Sequence, residues 1–198
     1  MDRVNPRQPA VRAASVHDVL EYLDVFEPGA RERARQRIPA EALEIIDATP
    51  RLGWIPIEHD VFVPTAMHAV LGPERFRELL RTFVLRHVEA SFLSPLVTKT
   101  SRLFGLNPVS LVRMLPVGWG LIYRDFCDIR VESLDATSAQ VIFEDVVPEA
   151  LASTPYLESF RAILAGVFTV TGHEGDVKIL EIDRDLARVV FAMDWQVD

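Results

Sequence analysis

The feature that most constrains the fold of this chain is a change of hydrophobic period near residue 126. Before it, apolar residues recur at helical spacing: Val16, Val19, Leu20 and Leu23 form one stripe, and Phe76, Leu79, Leu80, Phe83, Val84, His87 and Val88 form another. After it they alternate, with Ile129 and Val131, then Ala139, Val141 and Phe143, as every second residue does along a half-buried strand. In the last such run Val189, Phe191, Met193 and Trp195 share one face, and Arg188, Asp194 and Gln196 share the other. One helical stretch interrupts the alternation, opening at Thr154 and Pro155, burying Tyr156, Phe160, Ile163, Leu164 and Val167, and stopping at Gly172. Helices followed by β-β-α-β-β describe an α+β protein, an antiparallel sheet packed on helices.

The 198 residues suit one domain. Residues 15–198 are expected to form it, helical over 15–126 and sheet-forming over 127–198. Residues 1–14, polar and holding Pro6 and Pro9, read as a mobile arm. Ser15 is placed to cap the first helix, and further helices are expected near 28–38, 40–47, 60–71, 73–93 and 108–125. The segment Pro50 to Ile57, with Trp54 between two prolines, reads as a buried connector outside regular structure. Leu134 to Thr137 suits a hairpin loop, and the closing strands are expected near 176–182 and 187–195.

Charge and cysteine content set several function classes aside. Residues 1–124 carry a net +2 and residues 125–198 a net −10. The C-terminal part is therefore a poor phosphate-binding surface, because nucleic-acid affinity needs clustered Lys and Arg. Arg31, Arg33, Arg35 and Arg37 alternate around a helix with Glu32 among them, which makes a solvated face. The single cysteine, Cys127, cannot form an internal disulfide and fits a reducing, cytoplasmic compartment. No apolar run reaches the roughly 18 residues of a membrane helix, and residues 1–14 have no secretory core. Neither nucleic acid nor membrane is an expected partner.

Between Val112 and Trp195, the run Leu115-Pro-Val-Gly-Trp119-Gly-Leu-Ile-Tyr123-Arg124-Asp125, Pro148, the helix Phe160 to Gly166 and the terminal Trp195 resemble an uncharacterised, Myxococcales-restricted protein family. Leu52 to Pro56 and Leu71-Gly72 extend the likeness to most of the chain after about residue 15. It implies no activity. The element order is also similar to the haem nitric-oxide/oxygen binding (H-NOX) fold and to the 4-vinyl reductase type of small-molecule-binding domain, which implies a ligand held between helices and sheet. In H-NOX proteins an axial histidine lies on the helix before the first strand, and a Tyr-x-Ser-x-Arg motif grips the haem propionates. The corresponding helix here, about 108–125, has no histidine. The matching segment Val141 to Val147 has no Tyr, Ser or Arg and carries Glu144 and Asp145 instead. The resemblance thus implies the fold without the haem, and no cofactor is expected.

No catalytic or metal constellation emerges. The histidines, at 17, 59, 68, 87 and 173, include no i, i+4 pair. Glu58-His59-Asp60 reads as a solvated surface cluster, and His87 as a hydrogen-bonded core or boundary residue. Asp125 and Asp128 disfavour a Cys127 thiolate. There is no Gly-x-Ser-x-Gly elbow, and Gly118-Trp119-Gly120 is an incomplete dinucleotide fingerprint. What remains is aromatic. Trp119, Tyr123, Phe126, Tyr156, Phe160, Phe168, Phe191 and Trp195 fall near the helix–sheet junction, as a packed core or as an apolar pocket with polar tips. The candidate ligand-binding residues are Trp119, Tyr123, Arg124, Tyr156, Phe160 and Trp195. Two functions follow: a non-enzymatic sensory or regulatory module binding a small apolar ligand or a partner protein at that junction, or an interaction scaffold, homodimeric or with another protein, with a filled core and an acidic C-terminal surface.

Overall fold

The computed structural model describes residues 8–90 and 106–196, except the side chains of 87–90. The first half runs β1 (Ala10–Arg12), α1 (Ala13–Phe26), α2 (Ala30–Arg35), α3 (Ala40–Ala48), β2 (Trp54–Pro56), α4 (Ile57–Asp60), α5 (Phe62–Leu71) and α6 (Pro73–Ala90). The second runs α7 (Pro108–Ile122), β3 (Tyr123–Arg124), β4 (Asp128–Glu132), β5 (Ser138–Glu144), α8 (Pro148–Ala152), α9 (Thr154–Thr171), β6 (Gly175–Asp183) and β7 (Arg188–Trp195). This is the expected α+β architecture.

The larger sheet has the order β4-β5-β7-β6, antiparallel throughout. The chain leaves β5, crosses through α8 and α9 to the edge strand β6, and returns as β7 between them. Register pairs Ala139 with Met193, Val141 with Phe191 and Phe143 with Val189, so the alternating apolar residues of both strands meet on one face. Helix α9 covers that face with Phe160, Leu164 and Phe168, all buried. The opposite face carries ion pairs, Arg130 to Glu144 at 2.9 Å and Arg188 to Glu181 at 3.6 Å.

The smaller sheet, β2-β1-β3, departs from the sequence reading in three places. Residues 10–14 do not belong to a mobile arm: Val11 sits in the central strand, opposite Ile55 and Tyr123, and is 2% exposed. Residues 1–7 of that arm lie outside the described residues. Trp54 to Pro56 is a strand, not an irregular connector. The last helix before the large sheet ends at Ile122, because Tyr123 and Arg124 turn extended to pair with β1. Strands of two or three residues are too short to show alternation, and only their partners reveal them.

Helix ends differ for a related reason. Ser15 is not the cap of α1; the helix begins at Ala13, and the first amides of Ala13 and Ala14 donate to the carbonyls of Gly53 and Arg51, at 3.1 and 2.9 Å. Those carbonyls take the place a capping side chain would fill. The cap of α9 is Ser153, whose hydroxyl accepts from the Tyr156 amide, while Thr154 is the first helical residue. Gly172 does end α9, left-handed at φ 72°. The expected helix 60–71 is broken at Val61 into α4 and α5. The 91–93 end of the expected 73–93 helix lies outside the described residues.

Helices α6 and α9 cross closely. A Cβ on Gly166 would lie 2.6 Å from the Cβ of Val84, so only glycine allows this approach. Among the described residues, two of the four clustered arginines are ion-paired, Arg33 with Glu27 and Arg35 with Asp47. No helix among the described residues is long and apolar enough to cross a membrane.

Candidate functional site: an apolar cavity between the helices

The aromatic residues of the helix–sheet junction pack into a closed cluster. Phe160 is fully buried, with Trp119 at 5.1 Å, Tyr156 at 5.0 Å, and Phe126 and Phe143 both at 5.5 Å between ring centroids. Trp119 stacks on Tyr123 at 4.5 Å. These offset and edge-on arrangements add stability beyond area burial.

Beside this cluster, on the side of the N-terminal helices, lies a cavity of about 150 Å³. Its walls come from eight elements. Val11 of β1 and Val16 and Val19 of α1 form one side; Val63, Pro64 and Met67 of α5 and Leu80, Phe83 and Val84 of α6 form another. Trp119 and Ile122 of α7 and Ile163 of α9 complete the apolar lining. An apolar space of this size accepts a benzene-sized molecule.

The polar groups at the cavity are Ser15, Asp60, Tyr123, Tyr156 and Ser159. Asp60, the last residue of α4, is only 6% exposed. The Tyr156 hydroxyl donates to its Oδ2 at 2.6 Å. Burial pushes the Asp60 carboxyl up from 3.8 to about 6, against the opposing effect of the Tyr156 hydrogen bond. Burial, and then the Asp60 charge, push both tyrosine hydroxyls well above their ordinary range, so both keep their protons. Ser159 donates to the Tyr156 carbonyl at 2.6 Å. Ser15 Oγ and Trp119 Nε1 are buried and have no hydrogen-bond partner among the described residues.

Three candidate residues therefore meet at the cavity: Trp119, Tyr123 and Tyr156. The other three do not. Arg124 is exposed and lies over the Trp54 ring at 4.9 Å, outside the cavity, because β3 alternates it away from Tyr123. Phe160 is locked inside the aromatic cluster. Trp195 packs on Phe168 at 6.0 Å, toward the other end of α9. Asp60 and Ser15 were missed. Asp60 is not part of a solvated cluster: Ile57, Asp60, Pro64 and Met67 recur at helical spacing, and that stripe was the signal for its inward position.

Elsewhere the chemistry is sparse. His17 is bonded to the Thr49 carbonyl at 3.1 Å, and His173 to the Thr171 carbonyl at 2.9 Å. His59 lies 3.6 Å from Glu58, and His68 packs edge-on to Phe76. The side chain of His87 lies outside the described residues. Burial pushes the Cys127 thiol up, away from the thiolate form. Among the described residues no group of three or more His, Cys, Asp or Glu is placed to hold a metal ion.

Several solved structures share the fold. An iron(II), unliganded H-NOX protein mutant from K. algicida superposes with a TM-score of 0.66 at 15% identity, over 94% of this chain and 97% of that one. An oxygen-binding H-NOX domain related to soluble guanylate cyclases, in its oxygen complex, gives 0.61 at 12%, over 94% and 95%. A structure probing heme distortion in the H-NOX family gives 0.59 at 11%, over 94% and 95%. No family model and no curated protein matches the chain, so the likeness to the Myxococcales-restricted family rests on its residues alone.

Proposed function

We propose that this chain is a non-enzymatic sensory or regulatory module whose cavity holds a small apolar molecule. The observation that carries this reading is the cavity itself: apolar walls, a size of about 150 Å³ and a few convergent polar groups. The shared H-NOX fold supports it, since a solved neighbour is described as an oxygen-binding domain. The test is a thermal shift with toluene. The wild type is expected to be stabilised, and Val63→Phe, which fills the void, is expected to lose the response; a wild type that does not respond counts against the reading.

Haem does not fit this cavity. A tetrapyrrole is several times the size of benzene, and among the described residues no Lys, Arg or His lines the walls to meet two propionates; Asp60 would repel them. Among the described residues the lining side chains that could reach an iron are Tyr123 and Tyr156, which hold their protons, and Met67. Haemin added to the purified chain is expected to give no sharp Soret band. A band that disappears in His87→Ala would overturn this.

A second reading, an interaction module, is favoured by β6. Leu180, Ile182 and Leu186, on this edge strand and the turn after it, are 55%, 38% and 65% exposed, a surface that suits a partner protein or a second copy.

A further inference from the structure

A buried carboxylate is costly unless a cation or a set of hydrogen bonds compensates it. Asp60 has one hydrogen bond from the described residues, from Tyr156, and no ion pair. Among the described residues, no other charged group lines the cavity: the lining holds no Lys, Arg or His. Glu58 and His59, its neighbours in sequence, lie beside each other, and Glu58 is also bonded to Gln8. Among the described residues, a buried negative charge at the wall of an apolar void has no counter-charge.

Two polar atoms of the lining have no hydrogen-bond partner among the described residues, the Ser15 hydroxyl and the Trp119 indole N–H, and of these the hydroxyl can accept. An ammonium group offers three donors and no acceptor, so it can use a carboxylate and a hydroxyl oxygen together. The void also has the indole of Trp119 and the rings of Tyr123, Tyr156 and Phe83 in its walls, and aromatic faces attract cations. An anion would meet Asp60 with like charge, and a neutral molecule would leave the carboxylate uncompensated.

We propose that the ligand of this cavity is a compact apolar amine, bound as its ammonium ion with the charge paired to Asp60 and the hydrocarbon part between α1, α5 and α6. The proposal rests on the reading of the cavity as a small-molecule site and names the class of molecule it takes. Asp60 is the specificity residue, and Ser15 supplies a second acceptor.

The test compares benzylamine with benzyl alcohol, of nearly equal shape and different charge, by calorimetric titration of the full chain at neutral pH. Benzylamine is expected to bind the wild type at least about tenfold more tightly. Asp60→Asn is expected to lose that preference while still binding benzyl alcohol. If benzyl alcohol binds the wild type as tightly as benzylamine, or if the preference survives in Asp60→Asn, the charge pairing is wrong and the cavity reading stands. If neither compound binds, both fall. Should Asp60→Asn fail to fold, the wild type is titrated at falling pH. Tyr123 and Tyr156, the titratable groups that share the cavity with Asp60, stay neutral there, so benzylamine affinity is expected to drop as Asp60 takes up its proton while benzyl alcohol affinity does not. Parallel behaviour of the two compounds overturns the proposal.

Discussion

Two parts of one core stand side by side in this protein and are built on different terms. The aromatic cluster around Phe160 is closed, ring against ring, between α7, α9 and the large sheet. The cavity next to it, between α1, α5 and α6, is bordered by smaller valines and carries a buried carboxylate. Tyr156 belongs to both, with its ring on Phe160 and its hydroxyl on Asp60. The lesson is that aromatic content marks where a core is sealed, whereas an open site is marked by small apolar residues and a polar group without full compensation.

The largest expected effects test whether the closed part is as well packed as its geometry indicates. Phe160→Ala should cost roughly 3–5 kcal/mol, as buried aromatic truncations do, read as a lower urea midpoint. Trp195→Ala, which uncovers Phe168, should fall in the same range; a stability change near zero, with a dimer dissociating on sizing, would make Trp195 an interface residue instead.

The open part is sharpened by titrating Asp60. Its folded-state value is raised, so the native state keeps a proton that the unfolded chain releases, and stability must fall as pH rises from 3.8 through about 6. The loss is roughly 3 kcal/mol. Asp60→Asn should match the wild type below that window and exceed it above. A wild type whose advantage grows with pH relative to Asp60→Asn would mean that a cation from the protein compensates the carboxylate.

A smaller effect joins the two parts. Gly166→Ala forces α6 and α9 apart at Val84, which lines the cavity. Overpacking of this kind costs roughly 1–3 kcal/mol. Thermal unfolding unchanged from wild type would show that the helices slide without penalty.

The order of elements was readable from the sequence because helical and strand periods are local properties of a few turns or pleats. The large sheet illustrates this: alternation at Ala139 to Phe143 and Val189 to Trp195 announced strands and the face they bury. Tyr123, Tyr156 and Trp119 were also legible as site candidates, since a polar tip on an apolar body near a junction is a local signal. The small sheet was not legible, because a strand of three residues exists only through its neighbours, and Val11 needed Ile55 and Tyr123, far away in the chain, to become a core residue. Asp60 was half legible: the stripe Ile57, Asp60, Pro64 and Met67 pointed it inward, but adjacency to Glu58 and His59 suggested the surface. Tertiary structure decided the matter by bringing Tyr156, 96 residues away, onto its carboxylate. It also decided where the void lies, because a cavity is what remains when helices fixed by contacts elsewhere fail to meet, and no single segment encodes that gap.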